Sequence, residues 1–194
     1  VPQQIVDLKL DRLGLAGGER TQLVHKQIPI EVELSDALGL DVIFGIELRF
    51  PENDSDYLIY GVDEQWLRAN PYVCHMDHEA FFKKYGDSVL IIHAHPYRYC
   101  DEVFYNCVHG IEVVNCNRRH PNRNELALEL AKANPRLIRL CGTDAHRPGD
   151  EGQSGVLFDH RVRDSYEFKA AVESGNFKLW CPEHENIITE SEAR

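Results

Sequence analysis

The chain has 194 residues, of which 43% are apolar and 27% are charged, and its formal net charge at pH 7 is -11. This length suits one compact domain with a hydrophobic core, and the composition is ordinary for a folded protein, which argues against disorder over the whole chain. The negative charge repels nucleic-acid phosphates and excludes a general DNA- or RNA-coating protein, although bound divalent cations reverse the local field at a site.

The sequence indicates an intracellular protein. It has no apolar run long enough to span a membrane and no signal-peptide pattern at its start. Its six cysteines form no CxxC pair, and several lie in or beside apolar runs, which favours buried thiols in a reducing cytoplasm over a disulfide framework. Cys181 and His184 resemble one half of a zinc site, and the sequence offers no second half.

The first forty residues are predicted to be mostly helical. Pro2–Leu13 has apolar residues at helical spacing behind a proline, and Pro29 opens a second helix that is closed by Gly39. The segment between them, residues 16–22, is polar and contains glycine where an α/β chain normally has a buried strand. We therefore expect the N-terminal part to be incomplete or degenerate.

Strands and helices alternate from Leu40 onward. The strand-like runs are residues 40–48, 57–62, 89–93, 110–115 and 137–141. Helical patterns with capping or terminating residues cover 77–86, 122–134 and 164–175. Continuous apolar strands separated by helices predict a mostly parallel sheet that is covered on both faces. If such a sheet closes into a barrel, the chemistry is expected where the strands end and the loops begin.

Side chains that can bind metals or substrates follow four of these strands. They are Glu47, the pair His93 and His95, Asn115, and the pair Asp144 and His146. Alternation predicts that His93 and His95 lie on one face of their strand. Each residue alone has an ordinary structural explanation, such as a solvated edge carboxylate or a buried structural histidine. Together they offer oxygen and nitrogen ligands without thiolate, which suits zinc, manganese, iron or magnesium.

This ligand set favours hydrolysis assisted by divalent ions. Two neighbouring ions can clamp an oxyanion and generate hydroxide from water near neutral pH. A serine or cysteine nucleophile is less favoured, because the sequence has neither a GxSxG elbow nor an equivalent cysteine signature.

Five segments resemble the PHP family, the polymerase and histidinol phosphatase superfamily. They read GIEL (45–48), DYLIYGVDE (56–64), HAHPYR (93–98), GIEVVNCNRRHPNRNELALELAK (110–132) and GTDAH (142–146). GTDAH is similar to the GSDAH of that family, and HAHPYR is similar to its AHPFR. In this order and at these spacings the motifs are specific, whereas any one of them alone is weak.

The resemblance implies one domain over residues 1–194, a distorted (β/α)7 TIM-like barrel that hydrolyses phosphate esters with divalent metal ions. By matching position, it implies that the metal ligands and catalytic residues are Glu47, His95, Asp144 and His146. It implies that the phosphate pocket is surrounded by His93, Arg98, Asn115, Arg118, Arg119, His120 and Arg123. The implied substrate is a small phosphorylated molecule or a nucleotide, with no stable nucleic-acid complex and no membrane.

The chain departs from the family at its N-terminal end. PHP proteins open with an HxH motif, and no HxH precedes Glu47 here. Where the second family motif, TDH, would fall, the chain reads QLVH, so His25 is at best a remnant of it. The first strand of the barrel can therefore be missing through truncation, the gene product can be altered there, or the protein can be a degenerate relative that no longer catalyses. A missing strand would also leave a sheet edge that favours pairing with another chain.

Two alternatives to a phosphoesterase thus stay open. The first is a non-catalytic or impaired PHP-like domain that binds metal or phosphate. The second is a metal-dependent hydrolase of amides, which uses the same types of ligand. The sequence leaves open the natural substrate, the identity and number of the metal ions and the oligomeric state.

Overall fold

Strands and helices alternate through most of the part of the chain that the computed structural model describes, which is residues 4–6, 12–13 and 41–192. The strands are β1 (Gln4–Val6), β2 (Arg12–Leu13), β3 (Ile46–Arg49), β4 (Asp56–Tyr60), β5 (Leu90–His93), β6 (Gly110–Asn115), β7 (Ile138–Gly142), β8 (Gly155–Phe158) and β9 (Phe177–Trp180). The α-helices are α1 (Glu64–Ala69), α2 (His78–Tyr85), α3 (Asn124–Ala133), α4 (Ser165–Ser174) and α5 (Glu185–Glu192). Short 3-10 turns cover Val73–His75 and Pro182–His184.

The strands form two sheets. The larger sheet has the order β2-β3-β4-β5-β6-β7, and the smaller has the order β1-β8-β9. In the larger sheet β4 runs antiparallel to both of its neighbours, while the other pairs are parallel; the smaller sheet is antiparallel throughout. The α/β class holds, but neither sheet closes on itself among the described residues. The predicted distorted (β/α)7 TIM-like barrel is therefore wrong.

The connection between β3 and β4 explains why the parallel barrel fails. Only residues 50–55 join these strands, and a parallel pair needs a crossover of roughly a dozen residues or more. The segment reads FPENDS and is rich in turn-forming residues. A connection this short forces β4 to return antiparallel beside β3. A β/α barrel needs these neighbouring strands to be parallel, with a helix between them.

The helix predicted over Pro2–Leu13 is also wrong where the structure describes it. Gln4–Val6 pairs antiparallel with β8, and Arg12–Leu13 pairs parallel with β3. The sequence does contain the relevant signal, because apolar and charged residues alternate from position 6 to position 11, which is the period of a strand. Two short strands therefore precede Glu47. The predicted helix at 29–38, the segment 16–22 and His25 lie outside the described residues.

The helices predicted from capping signals are confirmed. Asp77 accepts a hydrogen bond from the Ala80 amide at the start of α2, at 2.8 Å. Asp164 accepts from the amides of Tyr166 and Glu167 at the start of α4, and Gly175 ends that helix with φ +74°. These signals lie within a few residues of the helix ends, so they can be read from the sequence. The strands β8 and β9 were not predicted.

A hydrophobic core lies between the sheets and the helices. It includes Ile59 and Ile91 of the larger sheet, Phe158 of the smaller sheet, and Phe168 of α4, all of which are almost fully buried. Gly110 allows β6 and β7 to approach closely, since a Cβ there would lie 2.3 Å from the carbonyl oxygen of Ile138. Within residues 41–192, no helix combines the length and apolar character needed to cross a bilayer.

Candidate metal centre

Three consecutive strands of the larger sheet bring Glu47, Asp56 and His95 together. Glu47 lies in β3, Asp56 is the first residue of β4, and His95 comes just after β5. The His95 Nε2 atom is 3.8 Å from Glu47 Oε1 and 3.7 Å from Asp56 Oδ2. One donor atom from each residue lies within 4.8 Å of the other two, and all three side chains are buried.

The donors of this group fit a divalent cation. Two carboxylates that are withdrawn from water need a counter-charge, because unpaired burial of a charge costs several kcal/mol or more. Two ligands that each lie about 2.1 Å from one tetrahedral ion are about 3.4 Å apart, so the observed spacing needs only a small contraction. Arg49 supplies part of the counter-charge, since its guanidinium donates to both oxygens of Asp56 at 2.8 and 2.7 Å.

Glu47 and His95 of this group also line a cleft. Its lining residues are Glu47, Leu58, Ala94, His95, Glu112, Asn115, Asp144 and Ala145. The structure thus brings three of the four predicted ligands to one cleft. The fourth, His146, is half-exposed and does not line the cleft, but its Nε2 atom is 2.9 Å from Asp144 Oδ1. The catalytic and ligand roles of these four residues stay predictions.

Arg98 holds Asp144 in the cleft. The buried guanidinium donates from Nη1 to Asp144 Oδ2 at 2.6 Å, and from Nη2 to Asn115 Oδ1 at 2.8 Å and to Asn122 Oδ1 at 2.7 Å. Burial by itself would raise the pKa of Asp144, but the charge and hydrogen bond of Arg98, together with the nearby His95 and His146, outweigh burial and keep that pKa below its usual value. Asn117 adds a donor to Asp144 Oδ2 at 3.2 Å. Arg98, which the resemblance implied around the phosphate, is occupied in this structure by holding the carboxylate.

Glu112 orders the loop that carries His95. Its Oε2 atom accepts from the His95 backbone amide at 2.9 Å and from Asn115 Nδ2 at 3.0 Å. Burial raises the pKa of Glu112, although nearby His95 and Asn115 oppose the shift. A buried carboxylate that bonds to a backbone amide fixes the position of the chain, so Glu112 acts on His95 through the main chain.

The cleft also concentrates unusual backbone geometry. Among the described residues, the non-glycine residues with positive φ are His95 (30°), Arg123 (51°) and Asp144 (49°). Two of these three line the cleft. Such conformations cost roughly 1–3 kcal/mol and persist where the surroundings enforce them, often at functional sites. The Glu112 bond to His95 and the Arg98 bond to Asp144 are the enforcing contacts here.

His93 does not share the face of His95, contrary to the prediction from alternation. It is fully buried, is paired in register with Tyr57, and its ring centroid lies 4.7 Å from that of Tyr57. The strand ends at His93, and the positive φ of His95 then redirects the chain, so alternation no longer applies. Burial lowers the pKa of His93 to about 3, and the ring is therefore neutral.

Three of the predicted phosphate-binding residues are tied to other parts of the surface. Arg118 pairs with Glu183, and Arg119 donates to both oxygens of Asp150 at 2.9 and 2.7 Å. Arg123 donates to the carbonyl oxygens of residues 97 and 100 and to Asp101. In this structure these arginines stabilise loops through ion pairs and hydrogen bonds, and they do not line the cleft.

His120 lies closer to the cleft. It is exposed, and its ring centroid is 6.3 Å from that of Tyr99, which in turn is 5.9 Å from that of His95. Asn115 lines the cleft directly. Of the residues implied around the phosphate, Asn115 thus lines the cleft and His120 lies near it, and their substrate-binding roles stay predictions.

Sequence reasoning missed Asp56 and Glu112 as members of the site. Each is an acidic residue at or within an otherwise apolar strand, the same signal that singled out Glu47. Both residues lie in segments that resemble the PHP family, yet neither carboxylate was considered as a buried charge. That signal was sufficient to find them.

The fold resembles two solved structures at low sequence identity. One is a two-domain protein from Bacteroides vulgatus that contains a predicted PHP-like metal-dependent phosphoesterase, with a TM-score of 0.55 and 14% identity over 92% of this chain and 55% of that one. The other is PsfC from Pseudomonas syringae, with a TM-score of 0.52 and 16% identity over 79% of this chain and 65% of that one. This chain spans less than two thirds of either protein, and at such identities the likeness establishes the fold alone. It matches no protein-family model and no curated protein.

Proposed function

We propose that this chain is a metal-dependent phosphoesterase of the PHP type that acts on a small phosphorylated substrate or a nucleotide. The observation that carries the proposal is the buried group of Glu47, Asp56 and His95 beside a cleft that Asp144 also lines. The likeness in fold to a protein with a predicted PHP-like phosphoesterase supports it.

In this proposal the ligands divide between two neighbouring positions. Glu47, Asp56 and His95 would hold one divalent ion, and Asp144 with His146 would contribute to a second. Zinc, manganese, iron and magnesium all suit these oxygen and nitrogen donors. When bound, a divalent cation neutralises charge on a phosphoryl group and lowers the pKa of water.

The protein's own residues prepare the cleft for such ions. Arg98 keeps Asp144 ionised, so its oxygens are available as acceptors at neutral pH. Glu112 holds the backbone of His95 in place. Because the carboxylates of the cleft repel anions and Arg98 is already engaged with Asp144, phosphate binding is expected to depend on the metal.

Hydrolysis of 4-nitrophenyl phosphate tests the proposal. We expect chelator-treated protein to be inactive and to regain activity with Mn²⁺ or Zn²⁺. Asp144→Ala and His95→Ala should each hold less metal and lose more than about 100-fold in rate, because even partners outside the ligand shell contribute roughly 10–100-fold. Lys178→Gln, at an exposed position of β9, serves as the control and should keep full activity. Wild-type rates in both cleft variants would overturn the proposal.

A non-catalytic or impaired PHP-like domain is the second candidate, and the sequence QLVH at residues 22–25, where the PHP family has TDH, favours it. It predicts bound metal on elemental analysis but no turnover of any phosphate ester. An amide-cleaving hydrolase would instead turn over cyclic amides and leave phosphate esters intact.

A further inference from the structure

Three buried cysteines meet where the two sheets approach each other. Cys116 follows β6, Cys141 lies in β7, and Cys181 follows β9. The Sγ atoms of Cys116 and Cys181 are 2.9 Å apart. The Cys141 thiol donates instead to the carbonyl oxygen of Gly155 at 3.1 Å. We propose that Cys116 and Cys181 are a reversible dithiol–disulfide pair that can link the larger sheet to the smaller one covalently.

Among residues 41–192, the lack of a third metal-binding donor beside the two sulfur atoms favours a disulfide over a shared metal ion, since their separation lies midway between the two arrangements. A disulfide bond is about 2.05 Å long, so the sulfurs need to move closer by only about 0.9 Å. Two thiolates that bind one tetrahedral zinc ion at about 2.3 Å are about 3.8 Å apart, so zinc would require the pair to separate by a similar amount. Within residues 41–192, the cysteines also take part in no group of three metal-binding donors.

The Cys116 and Cys181 thiols share one hydrogen bond, in which either sulfur can be the donor. Since the thiolate is the nucleophile, whichever thiol loses its proton attacks the oxidant, and the other thiol resolves the intermediate. Only 8% of Cys116 and 3% of Cys181 is exposed, so the oxidant must be small.

Hydrogen peroxide meets that requirement. One sulfur of the pair attacks a peroxide oxygen, the O–O bond breaks, and a sulfenic acid and one water are formed after proton transfer. The other sulfur then attacks the sulfenic sulfur, the S–O bond breaks, and the hydroxide leaves as a second water with the proton of the second thiol. In sum, the two thiols lose two electrons and two protons, and one peroxide is reduced to two waters. A dithiol such as dithiothreitol reverses the reaction by thiol–disulfide exchange.

The experiment compares the full chain after treatment with peroxide and after treatment with dithiothreitol. Under denaturing conditions with alkylation, we expect peroxide to remove two titratable thiols and to yield a linked peptide pair that contains Cys116 and Cys181. Because a disulfide restricts the unfolded chain, the Tm should rise by roughly 5–15 °C and fall back on reduction. Cys74→Ser, a half-buried cysteine outside the pair, should behave like the wild type.

Cys181→Ala and Cys181→Ser both remove one sulfur of the pair. A variant that folds, as judged by its thermal transition, should show neither the linked peptides nor the rise in Tm. A linkage of Cys116 to Cys141, six free thiols after peroxide, or oxidation of Cys181 to a sulfinic acid without linkage would each overturn the proposal. So would zinc that the wild type holds and Cys181→Ala loses.

Discussion

The two faces of the β3–β4–β5 unit bury ionisable groups in opposite ways. Asp56 and Tyr57 are neighbours in β4, but Asp56 groups with Glu47 and His95 beside the cleft, while the ring of Tyr57 packs against those of His78 and His93. At the cleft each charged group faces an oppositely charged or hydrogen-bonding partner. On the other face, neither ring nitrogen of His93 has a hydrogen-bond partner among the described residues, and burial keeps the ring neutral.

This contrast teaches that burial alone does not identify a functional histidine. His93 is more deeply buried than His95 and has a strongly shifted pKa, yet its neighbours are aromatic rings. His95 is surrounded by carboxylates and lies on an unusual backbone conformation. We expect the aromatic face to determine stability and the cleft face to determine metal binding.

The largest expected effect is on the aromatic face. Phe81 of α2 is fully buried against Phe50, so Phe81→Ala should lower the free energy of unfolding by about 3–5 kcal/mol. Urea denaturation measures this loss, and Tyr72→Ala, at a side chain that is 74% exposed, should change stability by less than about 0.5 kcal/mol. If the folded Phe81→Ala protein also lost its affinity for Mn²⁺, the division between the two faces would be wrong.

Two adjacent residues of β4 separate the faces most directly. Asp56→Asn removes one carboxylate charge from the cleft and should weaken Mn²⁺ binding by about 10–100-fold in a calorimetric titration. Tyr57→Phe removes only a hydroxyl group on the opposite face, whose bond to Asn53 is 3.5 Å long, and should leave the Mn²⁺ affinity unchanged. Equal affinities in the two variants would contradict a metal centre at Asp56.

The neutral His93 predicts a pH-dependent stability. Its pKa is about 3 in the folded protein, and a histidine in the unfolded chain titrates near 6.5, so the unfolded state binds more protons between these values. The contribution of His93 to the free energy of unfolding is therefore complete above pH 6.5. It is lost as the pH falls, by up to about 1.4 kcal/mol per pH unit. His93→Leu should flatten the fall in unfolding free energy between pH 6.5 and 5. His75→Leu, at an exposed histidine, should keep the wild-type slope, and identical slopes in both variants would refute the assignment.

The smallest expected effect lies outside both faces. Asp164 caps α4 through two backbone amides, and Asp164→Ala should cost about 1 kcal/mol of stability. Asp164→Asn retains a hydrogen-bond acceptor at that position and should lower the free energy of unfolding by only a few tenths of a kcal/mol. Thermal denaturation distinguishes the two variants, and neither should alter metal binding. A change in Mn²⁺ affinity would mean that the cleft is coupled to distant packing.

Local patterns in the sequence predicted three of the five described α-helices, and most strands of the larger sheet, well; they missed Glu64–Ala69 and Glu185–Glu192. The strand predicted over residues 110–115 coincides with β6, and Asp77, Asp164 and Gly175 mark helix ends as expected. The barrel and the N-terminal helix were wrong. Strand direction depends on which distant segment provides the partner, and the pairing of Gln4–Val6 with β8 joins residues more than a hundred positions apart.

The sequence by itself determined the chemistry that is available, since Glu47, His95, Asp144 and His146 follow apolar strands and belong to motifs that resemble the PHP family. The tertiary structure alone decided which groups face one another. It grouped Asp56 with Glu47 and His95, added Glu112 to the cleft, engaged Arg98 with Asp144, and placed His93 among aromatic rings. The physical reason is that the face on which a side chain lies is set by register between strands and by the chain direction after each strand end, and both depend on contacts far apart in the sequence.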